Sequence, residues 1–298
     1  MPCYHPSKLD VKRKSLYDSA SRVDTVTVPC GTCIGCRADQ GRNWAIRIKH
    51  EMDLHPLASW FITLTYDREH LPGNGKHDER TQGTLDPEDL RLFWRRLRER
   101  SYEKLGYYAC GEYGDDGSRP HYHLALFGMQ LLDRQLIGHR RGSPVWQSDT
   151  LEKTWGMGSV DITTISWKSA SYIAGYVTKK AREKANPTNH LRVDEQTGEL
   201  FEVEPEFSRM SRRPAIGRNW LERYWKDVYP NDFVVVNGQP FKPPRYYDKR
   251  MEEISPETME AVRYQRWKDA EEIGDEKLIM MEKVHRARLR IFGNRSKM

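Results

Sequence analysis

Between residues 59 and 183 the hydrophobic pattern switches repeatedly between period two and period 3.6, and the order of the switches leaves few folds open. "SWFITLTYD" (59–67) is β-branched and aromatic, the composition of a strand. "DPEDLRLFWRRLRER" (86–100) opens with Asp as a cap, Pro in the first turn and two acids before it turns basic, which predicts a helix. "LGYYACGEYG" (105–114) and "RPHYHLALFG" (119–128) read as strands joined by a short Gly/Asp loop. After a longer connection, a short helix is expected over 149–155, a strand over 156–166 and a helix over 168–183. The order β-α-β-β-α-β-α predicts an α+β protein with a ferredoxin-like antiparallel sheet covered by helices.

The flanks read differently. Residues 1–40 are irregular and hold four of the five cysteines, so they are expected to form a separate Cys-rich segment. The core is expected over 41–183, beginning with a helix whose Trp44, Ile48 and Met52 recur at helical spacing. Residues 70–83 are rich in glycine and charge, a loop. Over 184–229 a polar, acidic insertion or linker gives way to a basic segment and a helix at 219–229. Residues 230–298 should hold a small hairpin, because "VVVNGQPF" contains an Asn-Gly turn, followed by a charged helical tail. No internal repeat is visible.

No run approaches the roughly 18 apolar residues of a membrane span, and "MPCYHPSKLDVKRK" lacks the apolar stretch of a signal peptide. The expectation is a cytoplasmic protein with no membrane partner. The 49 lysines and arginines exceed the 43 acids by only six. The distribution says more than the sum: "RLFWRRLRER" (91–100) and "RMSRRPAIGRNW" (209–220) interleave arginine with tryptophan, a composition suited to phosphates and exposed bases. The same stretches also suit a solvated helix face and a polar loop.

In a strand, His121 and His123 share one face while Tyr122 points to the other. Two imidazoles about 6.5 Å apart along a strand can converge on one ion. A hairpin would bring Glu112 from the neighbouring strand beside them. Two imidazoles and a carboxylate leave coordination positions open for a substrate oxygen.

"SYIAGYVTKK" places Tyr172 and Tyr176 four apart on one helix face, with Lys179 and Lys180 one turn later. Such tyrosines are often core aromatics, but Ile173 and Val177 form an adjacent stripe able to carry the packing. A phenol, with pKa near 10, is a poor nucleophile until its electrophile is activated by a metal or an ammonium.

In this order, "FITLTY" (61–66), "RPHYHLALFG" and "YIAGYVTKK" resemble the motifs of the HUH endonuclease superfamily. Within it they are most similar to the rolling-circle replication initiators of gokushovirus-type microviruses, and "PCGTCIGCR" (29–37) and "MSRRPAIG" (210–217) also resemble that group. The resemblance covers roughly residues 1–225, with Tyr122 standing where a bulky hydrophobe is usual. It implies an HUH-type fold and an enzyme that nicks and rejoins single-stranded DNA at an origin through a covalent 5′-phosphotyrosine. Tyr172 and Tyr176 would be the nucleophiles, Lys179 and Lys180 the charge stabilisers, and His121, His123 and Glu112 the ligands of Mg²⁺ or Mn²⁺. Thr63, Thr65, Tyr66 and Arg119, with Arg95, Arg96, Arg212 and Arg213 of the basic clusters, would contact DNA. No G-x-x-x-x-G-K-[ST] occurs in the chain, so unwinding falls to a host helicase, with a host polymerase extending the freed 3′ end, in the host cytoplasm.

Cys30, Cys33 and Cys36 form C-x2-C-x2-C, and Cys3 is a fourth candidate. Four thiolates suit a structural zinc, and an iron–sulfur cluster is the rival. Zinc is favoured because DNA processing needs no electron carrier. Cys110, in a strand, reads as a buried thiol. Two other functions fit: a non-catalytic, zinc-containing single-stranded DNA-binding protein, which would not need Tyr172, Tyr176, His121 or His123, and a relaxase or transposase sharing the chemistry.

Overall fold

The computed structural model describes residues 2–14, 21–72, 83–114, 119–183, 191–193, 198, 200–270 and 273–295, without the side chains of 11–14, 21–24, 176–183 and 292–295. The chain forms two compact units, one of residues 1–40 and 264–298 and one of residues 41–263.

The larger unit is built on a seven-stranded antiparallel sheet. Its strands are β3 (Ser59–Tyr66), β4 (Gly106–Tyr113), β5 (Pro120–Phe127), β6 (Arg134–Arg140), β7 (Ser143–Ser148), β8 (Gly158–Thr164) and β11 (Phe207–Met210). They lie in the order β11-β4-β5-β3-β8-β7-β6. The inner four, β4-β5-β3-β8, connect as in a ferredoxin-like β-α-β-β-α-β unit, as expected from sequence. The first crossover is α2 (Pro87–Glu99), whose cap Asp86 accepts a hydrogen bond from Glu88 N at 2.8 Å. The second contains α3 (Asp149–Trp155), and α4 (Trp167–Glu183) follows β8.

Alternation along the strands gives the sheet two unlike faces. Ile62, Leu64 and Tyr66 of β3 and Tyr122, Leu124 and Leu126 of β5 pack beneath Leu90, Phe93 and Leu97 of α2 and Leu151 and Trp155 of α3. On the other face, Cys110, Ala125 and Phe127 pack beneath Ala170, Ile173 and Ala174 of α4 and Ala45 and Ile48 of α1 (Ile34–Leu54). Cys110 is fully buried, as read from the strand. A third cluster joins Ile46 to α5 (Arg218–Val228), to α6 (Arg245–Ile254) and to a hairpin of β12 (Val234–Val236) and β13 (Gln239–Phe241). That hairpin turns through Asn237 and Gly238, both at positive φ (50° and 74°), as the Asn-Gly pair requires. At the start of β8, Gly158 has φ 140°, and a Cβ there would lie 2.2 Å from Thr65 O. The strand can pair with β3 at that level only without a side chain.

The structure corrects three expectations. The long connection before α3 is a hairpin, β6–β7, turning through Arg141 and Gly142 at φ 51° and 79°. The acidic insertion includes a short hairpin, β9 (Leu191–Val193) with β10 (Leu200–Glu202), and is followed by β11, which pairs with β4. Residues 1–40 are not wholly irregular, because β1 (Ser7–Lys14) and β2 (Ser21–Val28) pair in register.

In the smaller unit, Tyr4, Cys33, Ile34 and Cys36 form a small core with Cys3, Cys30 and Met281. Met281 belongs to α8 (Asp275–Arg295), which follows α7 (Pro256–Lys268). His5 Nε2 meets Glu282 Oε2 at 2.8 Å. No described helix is long and apolar enough to cross a membrane.

Candidate functional site

The β4–β5 ladder pairs Glu112 with His121 and Cys110 with His123. Period-two alternation therefore puts Glu112, His121 and His123 side by side on the face covered by α1 and α4, while Tyr122 enters the opposite core. Glu112 Oε1 lies 2.8 Å from His121 Nε2 and 2.7 Å from His123 Nε2. Tyr172 of α4 donates its hydroxyl hydrogen bond to the same oxygen at 2.8 Å. Glu112 is 2% exposed, and its Oε2 is buried without a hydrogen-bond partner.

The second ring nitrogens are also placed. His121 Nδ1 lies 3.1 Å from Arg119 O, and His123 Nδ1 lies 3.0 Å from Thr63 Oγ1. As it stands each Nε2–H donates to Glu112 Oε1; with a cation bound, Nδ1–H donating to these oxygens would free each Nε2 lone pair for the ion. Burial alone would raise the Glu112 carboxyl, but its bonds to His121 and His123 outweigh that and hold it at about 2. Burial would lower His121, yet the bonds to Glu112 and to the Arg119 carbonyl leave it raised.

One donor atom from each of the three residues lies within 4.8 Å of the others. Two imidazoles and one carboxylate, whose second oxygen is orphaned, fit a divalent cation with coordination positions left open. Such a cation would polarise a phosphate oxygen brought to it. Tyr172, 48% exposed, has its ring 5.5 Å from that of His123. Tyr176, Lys179 and Lys180 follow in α4, and their side chains lie outside the described residues.

The expected DNA-contacting residues divide. Thr63 and Thr65 lie on the triad's face, opposite His123 and His121 in the β3–β5 ladder. Tyr66 does not share that face: at 2% exposure it is in the opposite core, its hydroxyl donating to Asp89 Oδ2 at 2.7 Å and 2.8 Å from that of Tyr122. It is one residue out of phase with the two threonines. Arg119 is turned inward, donating from Nη2 to Tyr66 O at 2.6 Å. Arg95 and Arg96 lie on α2, across the sheet from the triad, with Arg96 Nη1 reaching Thr154 O at 3.5 Å. Arg212 and Arg213 are exposed just beyond β11. The sequence reading missed Thr63 as a residue that orients His123. The signal was available only through the register, which sets residue 63 opposite residue 123.

The cysteines form a second cluster in the smaller unit. The Sγ atoms of Cys3, Cys30, Cys33 and Cys36 lie within 4.8 Å of one another, with Cys3 and Cys30 at 3.5 Å and Cys33 and Cys3 at 4.0 Å. Thiolates about 2.3 Å from a tetrahedral zinc would stand roughly 3.8 Å apart, so the four fit one ion. Backbone amides point at the sulfurs: Cys33 N to Cys30 Sγ, Cys36 N and Tyr4 N to Cys33 Sγ, and Cys30 N to Cys3 Sγ, at 3.2–3.4 Å. Burial would raise the Cys30 thiol, but the amides of Cys33 and Thr32 outweigh it and bring it to about 6.

A family model described as replication-associated protein ORF2/G2P matches residues 59–181, from β3 into α4. Replication-associated protein ORF2 of Spiroplasma virus 4 is 32% identical over 83% of this chain and 74% of its own length. The chain belongs to this family of phage replication-associated proteins. Replication-associated protein VP4 of Bdellovibrio phage phiMH2K is 32% identical over 77% of the chain and 69% of its own length, and ORF4 of Chlamydia phage 1 is 26% identical over 78% and 55%. No solved structure matches the chain. The matched span of the family model contains Glu112, His121, His123, Tyr172 and both helical crossovers, and the four clustered cysteines lie outside it.

Proposed function

We propose that this replication-associated protein nicks and rejoins single-stranded DNA at a replication origin through a 5′-phosphotyrosine. The observation that carries the reading is one atom: Glu112 Oε1 is shared by two imidazoles and by the Tyr172 hydroxyl. A nucleophile is thereby held beside a ligand set suited to Mg²⁺ or Mn²⁺, whose part is to polarise the scissile phosphate.

His121, His123 and Glu112 would hold the cation, with Arg119 O and Thr63 fixing the imidazoles. The Tyr172 oxygen attacks phosphorus, a P–O(Tyr) bond forms, and the bond to the 3′ oxygen breaks. The phenolic proton is lost to solvent, and the 3′ oxygen departs as a hydroxyl after gaining a proton from solvent. Reversing the step with a 3′-OH restores the phosphodiester without ATP. Tyr176 lies one turn further along α4 and supplies a second nucleophile. With one tyrosine attached to the 5′ end through a round of synthesis, the regenerated origin is cut by the other. Lys179 and Lys180 stabilise the charge that develops on the phosphate. Host helicase and polymerase supply unwinding and extension in the host cytoplasm, and one zinc held by Cys3, Cys30, Cys33 and Cys36 organises the smaller unit.

The test is a covalent adduct. Protein incubated with an origin oligonucleotide and Mn²⁺ should yield a DNA-linked species on a denaturing gel, mapping by mass spectrometry to Tyr172 or Tyr176. Tyr172→Phe and Tyr176→Phe singly should each keep some cutting, and the double variant none. An adduct on any other residue, or one formed by the double variant, overturns the mechanism, and no adduct under any divalent ion favours a non-catalytic binding protein.

A further inference from the structure

The two arginine-rich stretches, far apart in sequence, meet at one open cleft of about 710 Å³. Trp94 and Arg98 come from α2, Tyr107 from β4, Lys104 from the turn between them, and Arg212 and Arg213 from the segment after β11. Four cations thus surround two aromatic side chains whose ring centroids are 4.1 Å apart. Glu103 also lines the cleft, but none of the four cations has a described carboxylate within ion-pair distance.

The cleft walls are fixed. Ser211 N donates to Tyr107 O at 2.9 Å, Tyr107 N donates to Ser211 Oγ at 3.0 Å, and buried Arg47 holds Ile216 O at 2.9 Å. Tyr107 lies on the α2 face of the sheet and Glu112 on the other, five residues apart, or about 17 Å along the strand. The cleft is therefore separate from the triad. Its size is that of a small-molecule site, which spans roughly 300–1,000 Å³.

We propose that this cleft binds a stretch of single-stranded DNA outside the cutting site, with the cations on its phosphates and the Trp94–Tyr107 pair against a base. Cations with no carboxylate partner among the described residues, set around packed aromatics, are the chemistry of sequence-tolerant strand binding. The proposal rests on reading the chain as one that acts on DNA, but not on the nicking chemistry.

The experiment uses the full chain in EDTA, with binding of oligothymidylate followed by fluorescence anisotropy across a salt series. Each of Arg98→Ala, Lys104→Ala, Arg212→Ala and Arg213→Ala should weaken binding several-fold and flatten the slope of log affinity against log salt by about 0.7. Arg212→Lys with Arg213→Lys should restore the slope. An abasic oligonucleotide of equal length should bind more weakly than oligothymidylate, and Trp94→Leu should shrink that difference. Wild-type affinity and slope in the quadruple alanine variant would overturn the proposal, as would equal competition by polyglutamate of matched charge. Failure of the nicking reading leaves the EDTA curve unchanged, whereas failure of the cleft makes that curve insensitive to the four substitutions whether or not the protein cuts DNA.

Discussion

Glu112, His121 and His123 stand on neighbouring strands whose backbone ladder fixes their spacing, while Cys3, Cys30, Cys33 and Cys36 stand on two loop segments and the first turn of α1. The first cluster is backed by a broad apolar core. The second nearly is its own core, since besides the cysteines it has Tyr4, Ile34 and Met281. A site set by a sheet can lose its ion and keep its shape, because Glu112 and the imidazoles satisfy one another. A site set by loops has four thiols that satisfy one another weakly, so there an ion contributes folding free energy directly.

Chelation should break this contrast most visibly. Removing tightly bound metal, or introducing Cys33→Ser with Cys36→Ser, should abolish hydrogen-exchange protection around residues 2–10 and 25–36 and leave the sheet strands protected. Elemental analysis should find about one zinc per chain before treatment. Protection that survives full metal removal would show that the two clusters are not different in kind.

The double variant His121→Ala with His123→Ala comes next. Nicking should vanish, yet the fold should persist at a cost of about 3–5 kcal/mol, because the Glu112 carboxylate is left buried without its two imidazoles. Adding Glu112→Gln should recover part of that cost and none of the cutting. Loss of the sheet unit's cooperative melt in the double variant would mean that the triad, like the cysteines, is structural.

Much of this was legible in advance. The inner four strands were readable from their β-branched and aromatic runs, with strict alternation in β3, and Asp86 and Pro87 mark the start of α2. The triad followed from His121 and His123 sharing a strand face and from a hairpin short enough to return Glu112. The β6–β7 hairpin was not readable, because β6 is exposed along nearly its whole length and its apolar residues, Leu136 and Ile137, are consecutive and face solvent. β1 is charged and exposed where its side chains are described, and β11 is only four residues of edge strand. The Thr63–His123 bond depends on a register across 60 residues. The cleft needs two distant basic clusters to meet, and of the first cluster it uses Arg98 rather than Arg95 or Arg96.

Thr63→Val tests whether the register does chemical work beyond bringing the ligands together. Losing the Oγ1 partner of His123 Nδ1 should weaken divalent-ion affinity about 10–100-fold with little change in stability. Unchanged affinity by calorimetric titration would reduce Thr63 to packing.

Tyr122→Phe is the control on the reverse face and should have the smallest catalytic effect. It removes a hydroxyl that donates to Asp86 O at 2.7 Å and accepts from Asp86 N at 2.9 Å. The expected result is a stability loss of about 1–3 kcal/mol with an unchanged cutting rate. A fall in cutting at full stability would show that the two faces are coupled.

The alternation of β5 also behaves like a reading frame. Inserting or deleting a single codon before His121 within the strand would turn both imidazoles into the apolar layer and bring Tyr122 out toward Glu112. A two-codon change would keep the phase and alter only which pair of residues meets the carboxylate. A library of in-frame insertions across residues 119–124 should therefore show tolerance that rises and falls with a period of two, a pattern that conservation of residue type alone would not produce. The geometry of a pleated strand thus sets a rule at the level of the gene.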